Sequence, residues 1–229
     1  MKQQDDSQLI SYLTLRKLIG ILGIALPFMV WFGHSWFRGM HLDDKETPYR
    51  LYSISASHQW YMRDLFVCVI CILAAFLFTY KGDQETIDGA WANMAGAFAV
   101  LVAFCPTYAP GLIHYFHYIG AVGLFLVFAV FCLWIFPKQL RAAKDSAARK
   151  RTTRIIYISC GVTIVVGMIL CLVLADEDED RLSKLYPESK IFWLEAMMLV
   201  AFGFSWLVRG HLLRSVSKTL EKVKSMVGK

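Results

Sequence analysis

Gly111-Leu-Ile-His114-Tyr-Phe-His117-Tyr-Ile-Gly120 places two histidines three residues apart at the head of an apolar run that continues to Phe136. Residues at i and i+3 share a helix face, so both imidazoles can point the same way. Imidazole is a metal ligand, a proton carrier near neutral pH and a hydrogen-bonding group at either ring nitrogen. Glu195 stands about one turn inside another apolar run, Arg63-Asp64 opens a third, and His34 lies near the end of the first. Ionisable side chains are costly inside a bilayer, so each needs a partner, a cavity or water, and each is a functional candidate. Cys68-x-x-Cys71 has the spacing of a zinc or redox pair, but it stands in an unbroken apolar stretch with no second pair. The six cysteines all fall in apolar runs and read as small buried core residues, not as a disulfide framework.

The elements that must position these groups are spans. Of the 229 residues 57% are hydrophobic and 18% charged, against about a quarter charged in soluble domains. The apolar residues are gathered into blocks, and a crossing needs ~20 of them. Six such blocks predict an all-α, polytopic bundle with spans near 17–37, 63–80, 89–108, 112–136, 155–175 and 191–208. A single membrane domain, residues 1–229, accounts for the whole chain, and the first run reads as a retained span. In the third span Ala95, Ala99 and Ala103, with Ala92 and Gly96 beside them, predict close helix approach and hence a central helix of the bundle, and Asn93 reads as an interhelical hydrogen-bonding residue. Phe136-Pro137-Lys138 predicts a stop to the fourth span.

Orientation follows from the basic residues. With the amino terminus inside, 17 of the 24 Lys and Arg fall on cytoplasmic segments and seven on the other side. Both termini are therefore expected in the cytoplasm, in a bacterial-type cytoplasmic membrane. The net charge of +6 then faces anionic lipid and requires no nucleic acid. The tail 209–229 alternates Leu212, Leu213, Val216, Leu220 and Val223 with basic residues, a pattern for either a short helix on the inner surface or a solvated extension of the last span. The loop run Ser53-Ile-Ser55-Ala-Ser57-His58 predicts a short extended piece packed over the span mouths.

Alternating crossings carry His34, Asp64, His114, His117 and Glu195 to the outer ends of four helices, where Ser55, His58 and Arg63 join them. The expected site is a polar pocket of His34, Ser55, His58, Arg63, Asp64, His114, His117 and Glu195. Three chemistries suit it. With aromatic neighbours Trp36, Trp60, Tyr115, Tyr118 and Trp193, it would bind or handle a lipid or small amphiphile. With His114, His117, Asp64 and Glu195 as zinc ligands it would be a metal-dependent lipid hydrolase. As helix-pairing groups alone, the same residues would be structural. Membrane lipids are the expected partners, with a second copy of the chain as a further one.

Ser53-Ile-Ser, Met62-Arg-Asp-Leu-Phe-Val67, Phe78-Thr-Tyr-Lys-Gly82, the Pro106 turn with His117, and Trp193-Leu-Glu195 leading to Phe202-Gly-Phe-Ser-Trp206 together span most of the chain. In these it resembles a family of bacterial six-span membrane proteins and, distantly, the DRAM and Sfk-type membrane proteins. The resemblance implies a polytopic helical bundle and supplies no activity. A weaker similarity is to the alkaline ceramidase and adiponectin-receptor superfamily, membrane hydrolases with Ser, Asp and His residues around zinc. This chain departs from them with six spans instead of seven, and HxxH in the fourth instead of HxxxH in the last. No catalytic residue carries over.

Overall fold

The computed structural model describes residues 3–41, 47–48, 50–80, 87–142, 146–178 and 190–227, with side chains at 14–41, 47–48, 50–80, 87–141, 146–174 and 190–210. Asp43, Asp44, Lys81-Gly82, the acidic run Asp176–Asp180 and the tail side chains fall outside the described side chains. The described residues are helical, with no strand among them: α1 (Gln3–Met40), α2 (Arg63–Thr79), α3 (Ile87–Phe104), α4 (Leu112–Val130), α5 (Phe136–Ala142), α6 (Ala147–Asp178) and α7 (Lys190–Val227). A 3-10 turn, Ser55–Gln59, lies between α1 and α2, and a π-helical segment, Phe131–Ile135, joins α4 to α5.

Five helices are long and apolar enough to cross a membrane: Thr14–Met40, Ile87–Phe104, Leu112–Arg141, Ala147–Leu174 and Lys190–Gly210. The chain is thus a multi-pass membrane protein. α2, with 17 residues, is the one expected span outside this set; at 1.5 Å per residue it rises about 25 Å.

Packing closes the helices into a ring. α1 packs on α7, α7 on α6, α6 on α4, α4 on α3, α3 on α2, and α2 back on α1. Lipid tails are as apolar as leucine, so contact between such helices depends on close van der Waals fit. The α1–α7 crossing shows how close. A Cβ added to Gly20 would lie 2.7 Å from the Gly203 carbonyl oxygen, and one on Gly203 would collide with the Gly20 carbonyl. In α3, Ala92, Ala95, Ala99 and Ala103 are all buried against α2 and α4, so the close approach is there, but α3 is a member of the ring and not its central helix. Asn93, by contrast, is exposed, off the buried stripe, and makes no interhelical bond among the described residues.

Several expectations change. Pro137 does not stop the fourth span. A proline lacks the amide that would bond the carbonyl four residues back, and the π-helical turn immediately before it lets the helix continue to Ala142. The third span ends at Phe104, ahead of Cys105-Pro106, because a residue before proline is forced out of the helical region. α7 runs unbroken past Arg209 to Val227, so no separate surface helix begins there. The Ser-rich run is a 3-10 turn, not an extended strand: Ser57 Oγ donates to the Ile54 carbonyl at 2.5 Å and the Ala56 amide to Ser53 Oγ at 3.0 Å. Such local side-chain bonds offer the backbone an alternative to extension. Of the cysteines only Cys132 and Cys160 are buried, and Cys68 is exposed. It lies off the stripe Phe66, Val69, Ile70, Leu73, Ala74 and Leu77 that α2 buries.

Candidate functional site

At one end of the ring, residues 51–60 sit over the helix mouths as a plug. The plug has a buried face of Leu51, Ile54, Ser57 and His58, and its amides and carbonyls must find partners there. α7 supplies two. The Phe192 amide donates to the Tyr52 carbonyl at 2.9 Å. The Ile54 amide donates to Glu195 Oε2 at 2.6 Å, with the Ser55 amide also bonded to that carboxylate. Glu195 thereby caps the start of a 3-10 turn that is 141 residues away in sequence, as an acidic residue caps a helix start locally.

The two central histidines do the converse. The last carbonyls of a helix lack intrahelical donors, and α3 ends beneath the plug. His58 Nε2–H donates to the Val102 carbonyl at 3.0 Å, and His117 Nδ1–H to the Cys105 carbonyl at 2.7 Å. The rings meet edge to face with centroids 5.8 Å apart. His58 also meets the Phe66 ring edge-on at 5.0 Å. Burial pushes the His58 pKa below its ordinary value of 6.5; the bond to Val102 opposes this and the charge of Arg63 adds to it. The ring is therefore neutral at pH 7, with Nδ1 as its acceptor.

Two voids flank the plug. The smaller, about 40 Å3, lies inside the ring beneath it, lined by His117, Glu195, Ser55 and apolar residues including Leu26, Phe66 and Phe125. The larger, about 330 Å3, is a groove between α2 and the end of α3, lined by His58, Arg63, Asp64, Val67, Cys68, Ala103, Phe104 and Pro106. Arg63, Asp64, Cys68 and Phe104 are exposed, so the groove opens sideways.

The eight residues expected to share one pocket are divided. His58, Arg63 and Asp64 line the groove; Ser55, His117 and Glu195 line the inner void. His34 lines neither. Its Nε2–H donates to the Pro48 carbonyl at 2.8 Å, and beside it Arg38 Nε donates to the Thr47 carbonyl at 2.9 Å, so the two tie down the loop. His114 is turned back on its own turn, with Nδ1 3.1 Å from the Gly111 carbonyl and its ring against Tyr115. The turn bends sharply there because Gly111 holds φ at +73°, a region open chiefly to glycine. The zinc set of His114, His117, Asp64 and Glu195 does not converge. Among the described residues no group of three or more His, Cys, Asp or Glu is placed to hold a metal ion.

The opposite end of the ring holds a second set of buried polar residues. Arg16 and Arg209 are buried at 2% and 1% exposure. Arg16 donates to the Tyr80 hydroxyl at 3.1 Å and lies over that ring at 5.2 Å. Gln139 donates to the buried Asp88 carboxylate. Tyr80, Phe131, Phe136, Tyr157, Phe202 and Trp206 form an aromatic core around them.

Ring and plug together define a multi-pass helical membrane protein with a lateral groove and a small inner void at the same end. No family model matches this chain, and comparison with curated proteins and with solved structures finds no match either.

Proposed function

We infer that the protein binds a lipid or small amphiphile in the groove between α2 and α3, at the interfacial end of a six-crossing bundle. The groove's composition carries this reading. Charged and polar groups (Arg63, Asp64, His58) stand at its head, and Val67, Cys68, Ala103 and Phe104 form an apolar floor along two helices. A ligand polar at one end and apolar along its length matches that order. Its 330 Å3 lies at the lower end of the ligand-cleft range of about 300–1,000 Å3, enough for a headgroup and the start of a chain. Lateral opening gives direct access from the surrounding lipid.

The remaining crossing is α2. It packs against α1 on one side and α3 on the other, and every residue from Leu65 to Phe78 is apolar. Six crossings put both termini on one side, and the 17-to-seven bias of basic residues assigns that side to the cytoplasm of a bacterial cell membrane. A second reading, in which the buried polar groups are structural, applies to part of the set. Glu195, His117 and His34 each spend a hydrogen bond on backbone and hold the plug and loop in place.

Cys68→Trp fills the groove from its exposed side without touching the core. The test compares it with the unaltered protein in detergent, titrated with a phospholipid mixture. Lipid is expected to raise the melting temperature of the unaltered protein and to slow alkylation of Cys68. Cys68→Trp should melt normally without lipid and gain much less from it. Equal stabilisation of both proteins, with Cys68 alkylated at an unchanged rate, refutes the groove as a binding site.

A further inference from the structure

Arg63 and Asp64 are adjacent, so their side chains leave α2 about 100° apart and do not face each other. Both nevertheless line the groove, and neither is hydrogen-bonded or ion-paired among the described residues. A guanidinium and a carboxylate presented side by side, each with its donors or acceptors unspent, are complementary to a ligand with one anionic and one cationic centre. His58 sharpens the requirement. Its Nε2–H is committed to the Val102 carbonyl, so the polar atom left to this groove-lining ring is Nδ1, an acceptor. The groove thus offers one fixed cation and two acceptors for N–H donors.

We propose that the groove selects a zwitterionic phospholipid headgroup carrying a primary ammonium, of the ethanolamine type, with its phosphate on Arg63 and its ammonium shared by Asp64 and His58 Nδ1. This rests on the amphiphile reading above and adds the ligand's class to it. Guanidinium pairs with phosphate through two parallel N–H bonds. A primary ammonium has three N–H donors for the two acceptors. A choline headgroup has the same charges but no N–H, so Asp64 and His58 would lose their hydrogen bonds. A glycerol headgroup has no cation and would leave Asp64 facing a net negative ligand. The apolar floor calls for the acyl chains, which sets the lipid apart from its free headgroup.

The experiment uses the full chain in detergent with matched acyl chains and three headgroups: ethanolamine, choline and glycerol. Protection of Cys68 from alkylation is read against lipid concentration, since Cys68 lines the groove and is exposed. The ethanolamine lipid is expected to protect at a concentration about tenfold below that of the choline lipid, the effect of losing one charge-assisted hydrogen bond. Asp64→Asn should remove that preference while leaving protection itself, and Arg63→Gln should weaken protection by both zwitterionic lipids. Both variants alter exposed side chains, and an unchanged melting curve confirms their fold. Free phosphoethanolamine should not protect.

If no lipid protects Cys68, the amphiphile reading fails and this inference with it. If all three protect alike, or the glycerol lipid protects best, the groove binds lipid but the headgroup assignment is wrong. An ethanolamine preference that survives Asp64→Asn also overturns the assignment, as does full protection by free phosphoethanolamine.

Discussion

Glu195 is a carboxylate within a predicted span, and its bond to the Ile54 amide at 2.6 Å gives it a defined task. Glu195→Ala leaves buried amides at the start of the plug without an acceptor, which costs about 1–3 kcal/mol. Glu195→Gln keeps an acceptor but loses its charge, and should cost less. Hydrogen exchange at residues 54–56 checks this: faster exchange is expected in both variants, greater in Ala, and unchanged exchange in Glu195→Ala would refute the capping role. His58 adds a pH dependence. Its pKa in the fold lies below the ordinary 6.5 because burial disfavours the charged ring. As pH falls below about 6.5 the unfolded chain takes up a proton that the folded chain still refuses, so stability declines on acidification. Melting temperature should therefore drop between pH 7.5 and pH 5, and the drop should be smaller in His58→Gln, which keeps a donor for the Val102 carbonyl and does not titrate. An equal drop in both proteins would remove His58 as its source.

At the level of elements the ring depends on close approach, most clearly where α1 crosses α7. Gly203→Ala puts a methyl group against the Gly20 carbonyl and Ile24. Overpacking of this kind costs about 1–3 kcal/mol, and a lowered melting temperature with retained helicity would show it. Gly39→Ala serves as the control: nothing lies within 4 Å of a Cβ there, and its melting curve should match the unaltered protein. The 3-10 plug is the second element with an identifiable job, because it lines the inner void through Ile54 and Ser55 and presents His58 to the groove. Its shape comes from serine hydroxyls bonding its own backbone, through Ser53 and Ser57. Its placement comes from α7 and α3.

For the whole molecule the central expectation is that α2 crosses with the others and both ends of the chain share a side. Cysteine substitutions at Gln3, Arg50 and Lys229, in a background freed of native cysteines, test this with a membrane-impermeant thiol reagent on intact cells. Arg50→Cys should label without permeabilisation, and Gln3→Cys and Lys229→Cys only after it. Labelling of Gln3→Cys and Lys229→Cys from opposite sides would mean that the number of crossings is odd and that α2 does not span.

Helix content and membrane crossing were legible in the sequence because both depend on local composition: long apolar runs, and small residues on one stripe of α3. The candidate site was legible only as a level. His58, Asp64, His117 and Glu195 do lie at the same end, but depth along a helix says nothing about azimuth. Rotation about the helix axes decided that His114 turns back on Gly111, that Asp64 opens to a lateral groove, and that His117 faces inward. The same is true of Arg16 and Arg209, which the packed ring encloses. Composition therefore determined that the chain builds long apolar helices, five of them able to cross a membrane, and where their polar residues lie along them. Which of those residues meet was decided by tertiary packing, because the backbone amides of the plug and the carbonyls ending α3 are invisible in sequence. They become demanding partners only once folding buries them.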